Sequence, residues 1–185
     1  MIAILAEDDS DAEVLKCLVR RRLNQPQLTI KTKGYEGSGG LLRKGARDIK
    51  RWSRVGATAV IVCHDADSNP AQVIRDTLVS KVIGPSGFSG SACLGVPVEE
   101  MEAWIIADEL AVSSVIPSFR FAGHASPETI NSPKEWLCNQ SRAANGKPLY
   151  APKTFNPSVA RYLRFDVVAQ KCPSFRRFLE CVDTL

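Results

Sequence analysis

Short apolar runs alternate along this chain with segments in which apolar residues recur at helical spacing. The runs at residues 2–6, 57–63 and 92–98 predict buried strands, and residues 28–30 predict a shorter one. Between the runs, apolar positions three or four residues apart predict amphipathic helices. Because strands alternate with helices, the sequence predicts an α/β fold with a small, mostly parallel sheet flanked by helices.

Local signals predict where these helices begin. Ser10 and Glu13 have the spacing of a capping box, which predicts the start of the first helix. The glycine-rich residues 34–40 predict a flexible loop before the second helix. Asn69 and Pro70 predict a cap and a first-turn proline for the third helix. The apolar stripe of the second helix consists of Leu42, Ala46, Ile49 and Val55.

The last part of the chain is richer in Pro, Ser and Asn and predicts only short helices. These helices are expected near residues 133–141, 157–163 and 173–182, after a helical segment at residues 99–108. A length of 185 residues suits a single domain. We expect a core at about residues 1–112 and a C-terminal helical extension at about residues 113–185.

Composition excludes several classes of protein. The 44% hydrophobic content and the net charge of +4 are typical of a soluble globular chain. No apolar run approaches the roughly 20 residues of a membrane span, and no basic leader precedes the first strand. We therefore expect a cytoplasmic protein without a membrane partner.

The cysteines and histidines do not predict a zinc site. The six cysteines are scattered singly, and His64 and His124 match no paired-histidine pattern. We interpret the cysteines as reduced core residues and His64 as a structural residue. Any metal is therefore expected to take oxygen ligands, and no site for an organic cofactor is predicted.

Acidic residues follow three of the predicted strands directly. They are Glu7, Asp8, Asp9 and Asp11 after the first, Asp65 and Asp67 after the central one, and Glu99, Glu100 and Glu102 after the third. In a parallel sheet, functional groups collect outside the carboxyl ends of the strands, so these acids are expected to meet. Clustered carboxylates repel one another without a cation, and their oxygens suit Mg²⁺ or Mn²⁺.

The pair Asp65 and Asp67 also has a simpler interpretation. Two acids in a turn before Asn69 can serve only to cap the following helix, and for this pair alone that interpretation is favoured. Acids at three strand ends together reverse the preference toward a metal site. Glu99, Glu100 and Asp108 are interpreted as surface charges.

The acidic motifs resemble those of the Toprim domain, which occurs in primases, topoisomerases and related nucleases. Toprim domains carry a glutamate after the first strand, often in the pattern E-G-x-x-[DE], and an Asp-x-Asp after a later strand. The matching residues are Glu7 with Asp11, and Asp65 with Asp67, while Asp8 stands where glycine is usual. The resemblance implies a metal-dependent phosphoryl-transfer site in which Glu7, Asp65 and Asp67 are catalytic.

Most of the chain also resembles small bacterial Toprim-like proteins of the domain-of-unknown-function family four-two-seven-six, which often accompany ATPases in phage-defence loci. The likeness is carried by residues 37–40, by the E-A-W-x-x-A-D segment within residues 98–108, and by the tail around Tyr150, Lys153 and residues 172–175. It implies Glu102 as a further metal ligand and Lys153 as a basic contact to nucleic acid. It also implies an ABC-type or AAA-type ATPase as a partner.

Basic residues lie opposite the apolar stripe of the second predicted helix. This basic ridge consists of Arg43, Arg47, Lys50, Arg51 and Arg54. Such a ridge can follow the phosphate backbone of DNA or RNA, although a charged helix face is more often simply solvated. Asp48 is almost the only acid among these residues, which favours contact with nucleic acid.

Two functional hypotheses follow, and they differ in whether the acids are needed. The first is a Mg²⁺- or Mn²⁺-dependent Toprim-type nuclease that acts in bacterial antiviral defence. The second is a non-catalytic subunit that binds nucleic acid or a partner through the basic ridge. Primase-like nucleotidyl transfer is a further alternative, for which 185 residues leave little room.

Overall fold

The computed structural model describes residues 1–119, 121–143 and 145–185. In this part of the chain, four strands form one sheet in the order β2-β1-β3-β4, and every neighbouring pair is parallel. The strands are β1 (Ile2–Ala6), β2 (Ile30–Gly34), β3 (Ala59–Cys63) and β4 (Ser91–Gly95). The predicted α/β class with a parallel sheet is therefore confirmed.

Helices connect the strands and continue after the sheet. Between the strands lie α1 (Asp9–Arg22), α2 (Ser38–Ser53), α3 (Ala71–Leu78), a π-helical turn (Val79–Ile83) and the short α4 (Gly84–Ser86). After β4 follow α5 (Glu102–Ile106), α6 (Glu109–Val115), a 3₁₀ turn (Pro127–Thr129), α7 (Pro133–Gln140), α8 (Pro152–Val159), α9 (Phe165–Lys171) and α10 (Pro173–Val182). Among the described residues, no helix combines the length and apolar character needed to cross a bilayer.

The sheet separates two apolar cores. Ile4 belongs to the core shared with α1 and the C-terminal helices, and its neighbour Leu5 belongs to the core shared with α2 and α3. This alternation follows from the two-residue period of a strand. Because Phe178 of α10 lies in the same core as Ile4, the C-terminal helices cover one face of the sheet.

Two predicted helix caps are wrong. The N-cap of α1 is Asp8, whose Oδ1 accepts a hydrogen bond from Asp11 N at 2.9 Å, so Ser10 does not cap this helix. The amide of Asn69 donates to the carbonyl of Ala66 instead of capping α3. At α1 a different side chain, that of Asp8, takes the capping position, and at α3 a local hydrogen bond engages the side chain that the pattern assigned.

The glycine-rich residues 34–40 are a junction rather than a long flexible loop. Gly34 ends β2, and α2 begins at Ser38. A Cβ on Gly34 would lie 2.0 Å from Asp9 N, so only glycine allows β2 to approach the start of α1 this closely. Gly34 thereby sets the position of the acidic residues that begin α1.

The buried stripe of α2 also differs from the predicted one. It contains Leu41, Gly45 and Ile49, whereas Val55 is exposed. A Cβ on Gly45 would lie 2.9 Å from a methyl group of Val82, so the missing side chain lets the π-helical turn pack against α2. Because glycine does not count as an apolar residue, the pattern of apolar residues placed the buried face of α2 at the wrong positions.

The helices around the third acidic cluster are shorter than predicted. The helix expected at residues 99–108 begins only at Glu102, and Asp108 starts the next one. The helix expected at residues 157–163 lies at Pro152–Val159, and the helix at Phe165–Lys171 was not predicted. The helix expected at residues 173–182 is confirmed.

Candidate functional site

Acidic residues gather where the strand order reverses. The chain passes from β1 to β2 on one side and then returns to β3 on the other, so the carboxyl ends of β1 and β3 flank a topological switch point. Glu7 follows β1 directly, and Asp65 lies two residues after β3. The backbone N–H of Asp65 donates to Glu7 Oε1 at 3.0 Å, which joins the two strand ends.

A cleft of about 1030 Å³ opens at this point. Its acidic lining residues are Glu7, Asp8, Asp9, Asp11, Glu13, Glu36, Asp65, Glu100 and Glu102, and its basic lining residues are Lys134 and Lys153. The three predicted acidic clusters therefore contribute to one cleft. The exposed Lys153 lies 3.7 Å from Asp8 Oδ2, so this predicted basic contact is at the cleft.

Burial and mutual repulsion act strongly on the carboxyl groups. Burial, followed by the charges of Asp8, Glu102 and Glu7, raises the pKa of Asp11 to about 8. Burial also raises the pKa of Asp65 well above its usual range, and the charges of Asp11 and Glu7 add to this effect. The cluster is therefore stabilised by protonation or by a cation.

Glu7 experiences opposing influences. Burial raises the pKa of Glu7, while His64 and the N–H of Asp65 lower it, and the net shift is upward. His64 Nδ1 lies 3.1 Å from Glu7 Oε1 and 2.5 Å from the carbonyl oxygen of Asp65. The buried imidazole thus contacts both strand ends, as expected for a structural histidine.

Residues from the C-terminal region hold Glu102 in place. Asn156 Nδ2 donates to Glu102 Oε1 at 3.1 Å, and Tyr150 OH donates to Asn156 Oδ1 at 2.6 Å. All three side chains are buried, and burial raises the pKa of Glu102. Sequence reasoning missed Asn156 and Tyr150 as a pair, because 54 residues separate Asn156 from Glu102 and no local pattern links them.

The structure places Asp67 beside the cleft. This residue is exposed and has φ of +45°, a left-handed backbone conformation that turns the chain. Its charge raises the pKa of Glu7 and Asp65, so it lies close enough to interact with them. Asp67 is not one of the described residues that line the cleft.

The basic ridge forms the outer surface of α2. All of its members, Arg43, Arg47, Lys50, Arg51 and Arg54, are exposed. The one acid in this region, Asp48, is buried and accepts hydrogen bonds from Lys33 Nζ at 2.7 Å and Tyr35 OH at 2.8 Å. No ridge residue is among the described residues that line the cleft.

The sequence predicted that Asp108 is a surface charge. This prediction is wrong, because the side chain is fully buried. Its Oδ1 accepts a hydrogen bond from Ala111 N at 3.2 Å and so caps α6. Arg164 donates to the same carboxylate from its backbone N at 2.7 Å and from Nη2 at 2.6 Å. Within the E-A-W-x-x-A-D segment, Glu102 therefore lines the cleft, whereas Asp108 stabilises the fold.

The carboxylate oxygens of the cleft are suitable ligands for a hard cation, but the described side chains do not surround a single point. In the residues that the structure describes, no group of three or more His, Cys, Asp or Glu side chains is arranged to hold a metal ion. Carboxylate oxygens are the ligands that Mg²⁺ and Mn²⁺ prefer. Glu7, Asp11, Asp65 and Glu102 line the same cleft, so a cation could be bound after rotation of these side chains.

The fold and the cleft define an α/β protein with a parallel sheet and an acidic site at its switch point. The model of the family described as Domain of unknown function (DUF4276) matches residues 6–183, which is nearly the whole chain. The chain belongs to this family. No curated protein and no solved structure matches it significantly.

The crowded carboxylates predict how the stability of the metal-free protein depends on pH. The pKa of Asp11 is about 8 in the folded state and about 3.9 in the unfolded chain, so the folded state holds the extra proton between these values. The free energy of unfolding should therefore fall as the pH rises from about 4 to about 8. Asp11→Asn should lessen this fall, as measured by urea unfolding in EDTA at several pH values.

A matched control is Glu180→Gln, which removes an exposed carboxylate on α10. This variant should keep the wild-type dependence on pH. An Asp11→Asn variant with the full wild-type fall in stability would show that the cluster does not act on Asp11.

Proposed function

We propose that this protein is a Mg²⁺- or Mn²⁺-dependent nuclease of Toprim type that cleaves phosphodiester bonds of DNA or RNA. The observation that carries the proposal is the convergence of Glu7, Asp11, Asp65 and Glu102 in one cleft at the switch point of the sheet. The Toprim-like motifs at the ends of β1 and β3 support the same reaction.

In this proposal five acids form the set of metal ligands, and Glu7 acts either as one of these ligands or as the general acid or base. The ligands are Glu7, Asp11, Asp65, Asp67 and Glu102. A bound Mg²⁺ or Mn²⁺ supplies positive charge that stabilises the charge developing on the reacting phosphate. Glu7 has a pKa raised by burial, which suits exchange of a proton near the scissile phosphate. Lys153, exposed at the cleft, contacts a phosphate of the substrate.

The biological setting is proposed from the family resemblance alone. Proteins of this kind often accompany ATPases in phage-defence loci. We accordingly propose that the chain acts in bacterial antiviral defence with an ABC-type or AAA-type ATPase as its partner.

Incubation with a panel of nucleic acids tests the nuclease. Purified protein is mixed with single- and double-stranded DNA and RNA in Mg²⁺ or Mn²⁺, with and without any ABC-type or AAA-type ATPase found to be encoded next to it. We expect cleavage that EDTA stops and that Asp65→Asn, purified in parallel, does not show. A panel that stays intact under every condition would reject the proposed activity.

The exposed basic ridge favours a second candidate function, a non-catalytic subunit that binds nucleic acid or a partner. Under this alternative, function in cells survives Asp65→Asn. Charge reversal in Arg47→Glu/Arg51→Glu would instead abolish both function and salt-dependent binding. The two variants therefore separate the two candidates in one complementation experiment.

A further inference from the structure

A second pocket of about 500 Å³ adjoins the acidic cleft. Glu13 of α1 and Pro157 of α8 line both spaces, so the two border each other at these residues. The pocket lies between the C-terminal half of α1 and the chain around the end of α8. Its charged lining residues are Glu13, Lys16, Arg20, Arg21 and Arg161, four bases against one acid.

Helix α1 contributes acidic residues to the cleft and basic residues to the second pocket. The residues of α1 that line the second pocket follow one another at helical spacing, so they form a single face. They are Glu13, Lys16, Cys17, Arg20 and Arg21. Asp11 in the cleft and Arg21 in the pocket are ten residues apart, which is roughly 15 Å along a helix at about 1.5 Å per residue. The acidic start and the basic end of α1 thus face adjoining cavities.

The two arginines of α1 that line the second pocket, Arg20 and Arg21, are held by neutral groups. Arg20 donates from Nε and Nη2 to the carbonyl oxygen of Leu28 at 3.2 and 3.0 Å. Arg21 donates to the carbonyl oxygens of Ala160 and Leu163 at 2.6 and 2.7 Å. Carbonyl acceptors fix the side chains without cancelling their charge, and each guanidinium has five N–H groups in all.

The remaining two bases of the pocket are Lys16 and Arg161. Lys16 pairs with Glu13 at 3.0 Å on the surface of α1, where such a pair is weak and exchanges readily with other partners. Arg161 is exposed and follows α8. The pocket therefore combines two positioned guanidinium groups with two adaptable cations, which suits an anion with several oxygens.

We infer that the second pocket binds phosphate groups of a polyanion whose neighbouring segment enters the acidic cleft. The inference rests on the proposed function for the identity of that polyanion, which is then a strand of DNA or RNA. The distance of roughly 15 Å corresponds to about four nucleotide steps at about 3.4 Å per step. The cleft is lined by nine acids and two lysines, so its charge does not attract a polyanion. The four bases of the second pocket provide this attraction.

This assignment differs from binding along the basic ridge of α2. The residues of the ridge do not occur among the described residues that line the cleft or the second pocket. The bases of α1 lie next to the cleft instead, because Glu13 borders both cavities.

Fluorescence anisotropy with labelled single-stranded DNA and RNA of mixed sequence tests the inference, in EDTA so that the strands stay intact. Lys16→Gln/Arg161→Gln removes two cations of the pocket and leaves Arg20 and Arg21, which bind backbone carbonyls. We expect affinity to fall on the order of tenfold and the slope of log K against log salt to decrease by about 1.4, which is two contacts at about 0.7 each.

The matched control is Arg176→Gln/Arg177→Gln, which removes two exposed arginines on α10. Thermal unfolding of both double variants should match the wild type within a few degrees, since the three arginines are exposed and Lys16 takes part only in a weak pair with the exposed Glu13. Arg161→Glu, a single change at an exposed position, should also weaken binding. Unchanged affinity in Lys16→Gln/Arg161→Gln, an equal loss in the control, or no binding by the wild type would overturn the inference.

The same variants test the binding pocket independently of the proposed nuclease activity. A loss of affinity in Lys16→Gln/Arg161→Gln, with no hydrolysis by wild-type protein in Mg²⁺ or Mn²⁺, supports the pocket and rejects the nuclease. Hydrolysis by the wild type with unchanged affinity in the double variant rejects the pocket alone.

Discussion

Asparagine in place of Asp65 is expected to weaken Mg²⁺ and Mn²⁺ binding by about 100-fold or more. Asp65 lines the cleft, and its carboxyl group lies in the combined field of Asp11, Glu7 and Glu102. The amide keeps the shape of the side chain but removes a charge that attracts the cation and repels its neighbours. The metal-free variant should therefore unfold at the wild-type temperature or above it, although its metal affinity is lost.

Calorimetric titration and thermal unfolding in EDTA measure the two effects of Asp65→Asn. Asp76→Asn is the matched control, because it makes the same change at an exposed position on α3. The control should bind metal as the wild type does. Undiminished metal binding by Asp65→Asn would remove this carboxylate from the proposed ligand set.

Alanine in place of Asp108 is expected to lower the free energy of unfolding at pH 7 by about 3 kcal/mol. The change removes the cap of α6 and leaves the backbone N–H of Arg164 without its acceptor. The guanidinium of Arg164 is partly exposed and can turn to water, which limits the loss. Urea unfolding of the variant and the wild type gives the difference directly.

The effect of Asp108→Ala should depend on pH. Burial alone would raise the pKa of Asp108, but the hydrogen bonds from Arg164 and Ala111 outweigh burial and lower it. An acid with a lowered pKa stabilises the folded state above its unfolded value of about 3.9. This stabilisation is lost as the pH falls through the folded value, so the difference between the two proteins should shrink in acid.

Asp166→Ala provides the comparison for Asp108, since it removes an exposed carboxylate close to Arg164 in the chain. A change within about 0.5 kcal/mol is expected for a surface position of this kind. Equal stability of Asp108→Ala and the wild type at pH 7 would contradict the role assigned to the buried carboxylate.

The class of fold was accessible from the sequence because its signals are local and repeated. The two central strands, β1 and β3, are apolar runs, and acids begin one residue after β1 and two residues after β3. The edge strand β2 (Ile30–Gly34) is largely polar, and it shares only Ile30 with the strand predicted at residues 28–30. The meeting of Glu7 and Asp65 then follows from parallel topology, which places both strand ends at the same edge. These two acids could therefore be predicted to lie together without any knowledge of the packing.

Other features depended on contacts that no local pattern reveals. The close approach of Gly34 to Asp9 and of Gly45 to Val82 uses a missing side chain, which is invisible to a hydrophobic pattern. The assignment of Asp108 as a surface charge failed because its partner Arg164 lies 56 residues further along the chain. Long-range pairs of this kind are fixed by tertiary packing alone.

The basic pocket was missed for a different reason. The run Arg20-Arg21-Arg22 forms the last turn of α1, where basic residues commonly interact with the helix dipole, so its sequence alone does not indicate a binding site. The structure instead directs Arg20 and Arg21 to carbonyl groups outside the helix. Only the placement of α8 beside α1 turns these residues into the wall of a cavity.

The hydrogen bond between Asn156 and Glu102 has a consequence for how the protein is made. Chains emerge from the ribosome with the N-terminal end first, so the whole sheet is synthesised long before Asn156 appears. Until then Glu102 lacks its partner and Asp108 lacks Arg164. A chain released before this point would carry the strands and most of the acids but an unfinished cleft, so the cleft can be completed only after Asn156 and Arg164 have been synthesised.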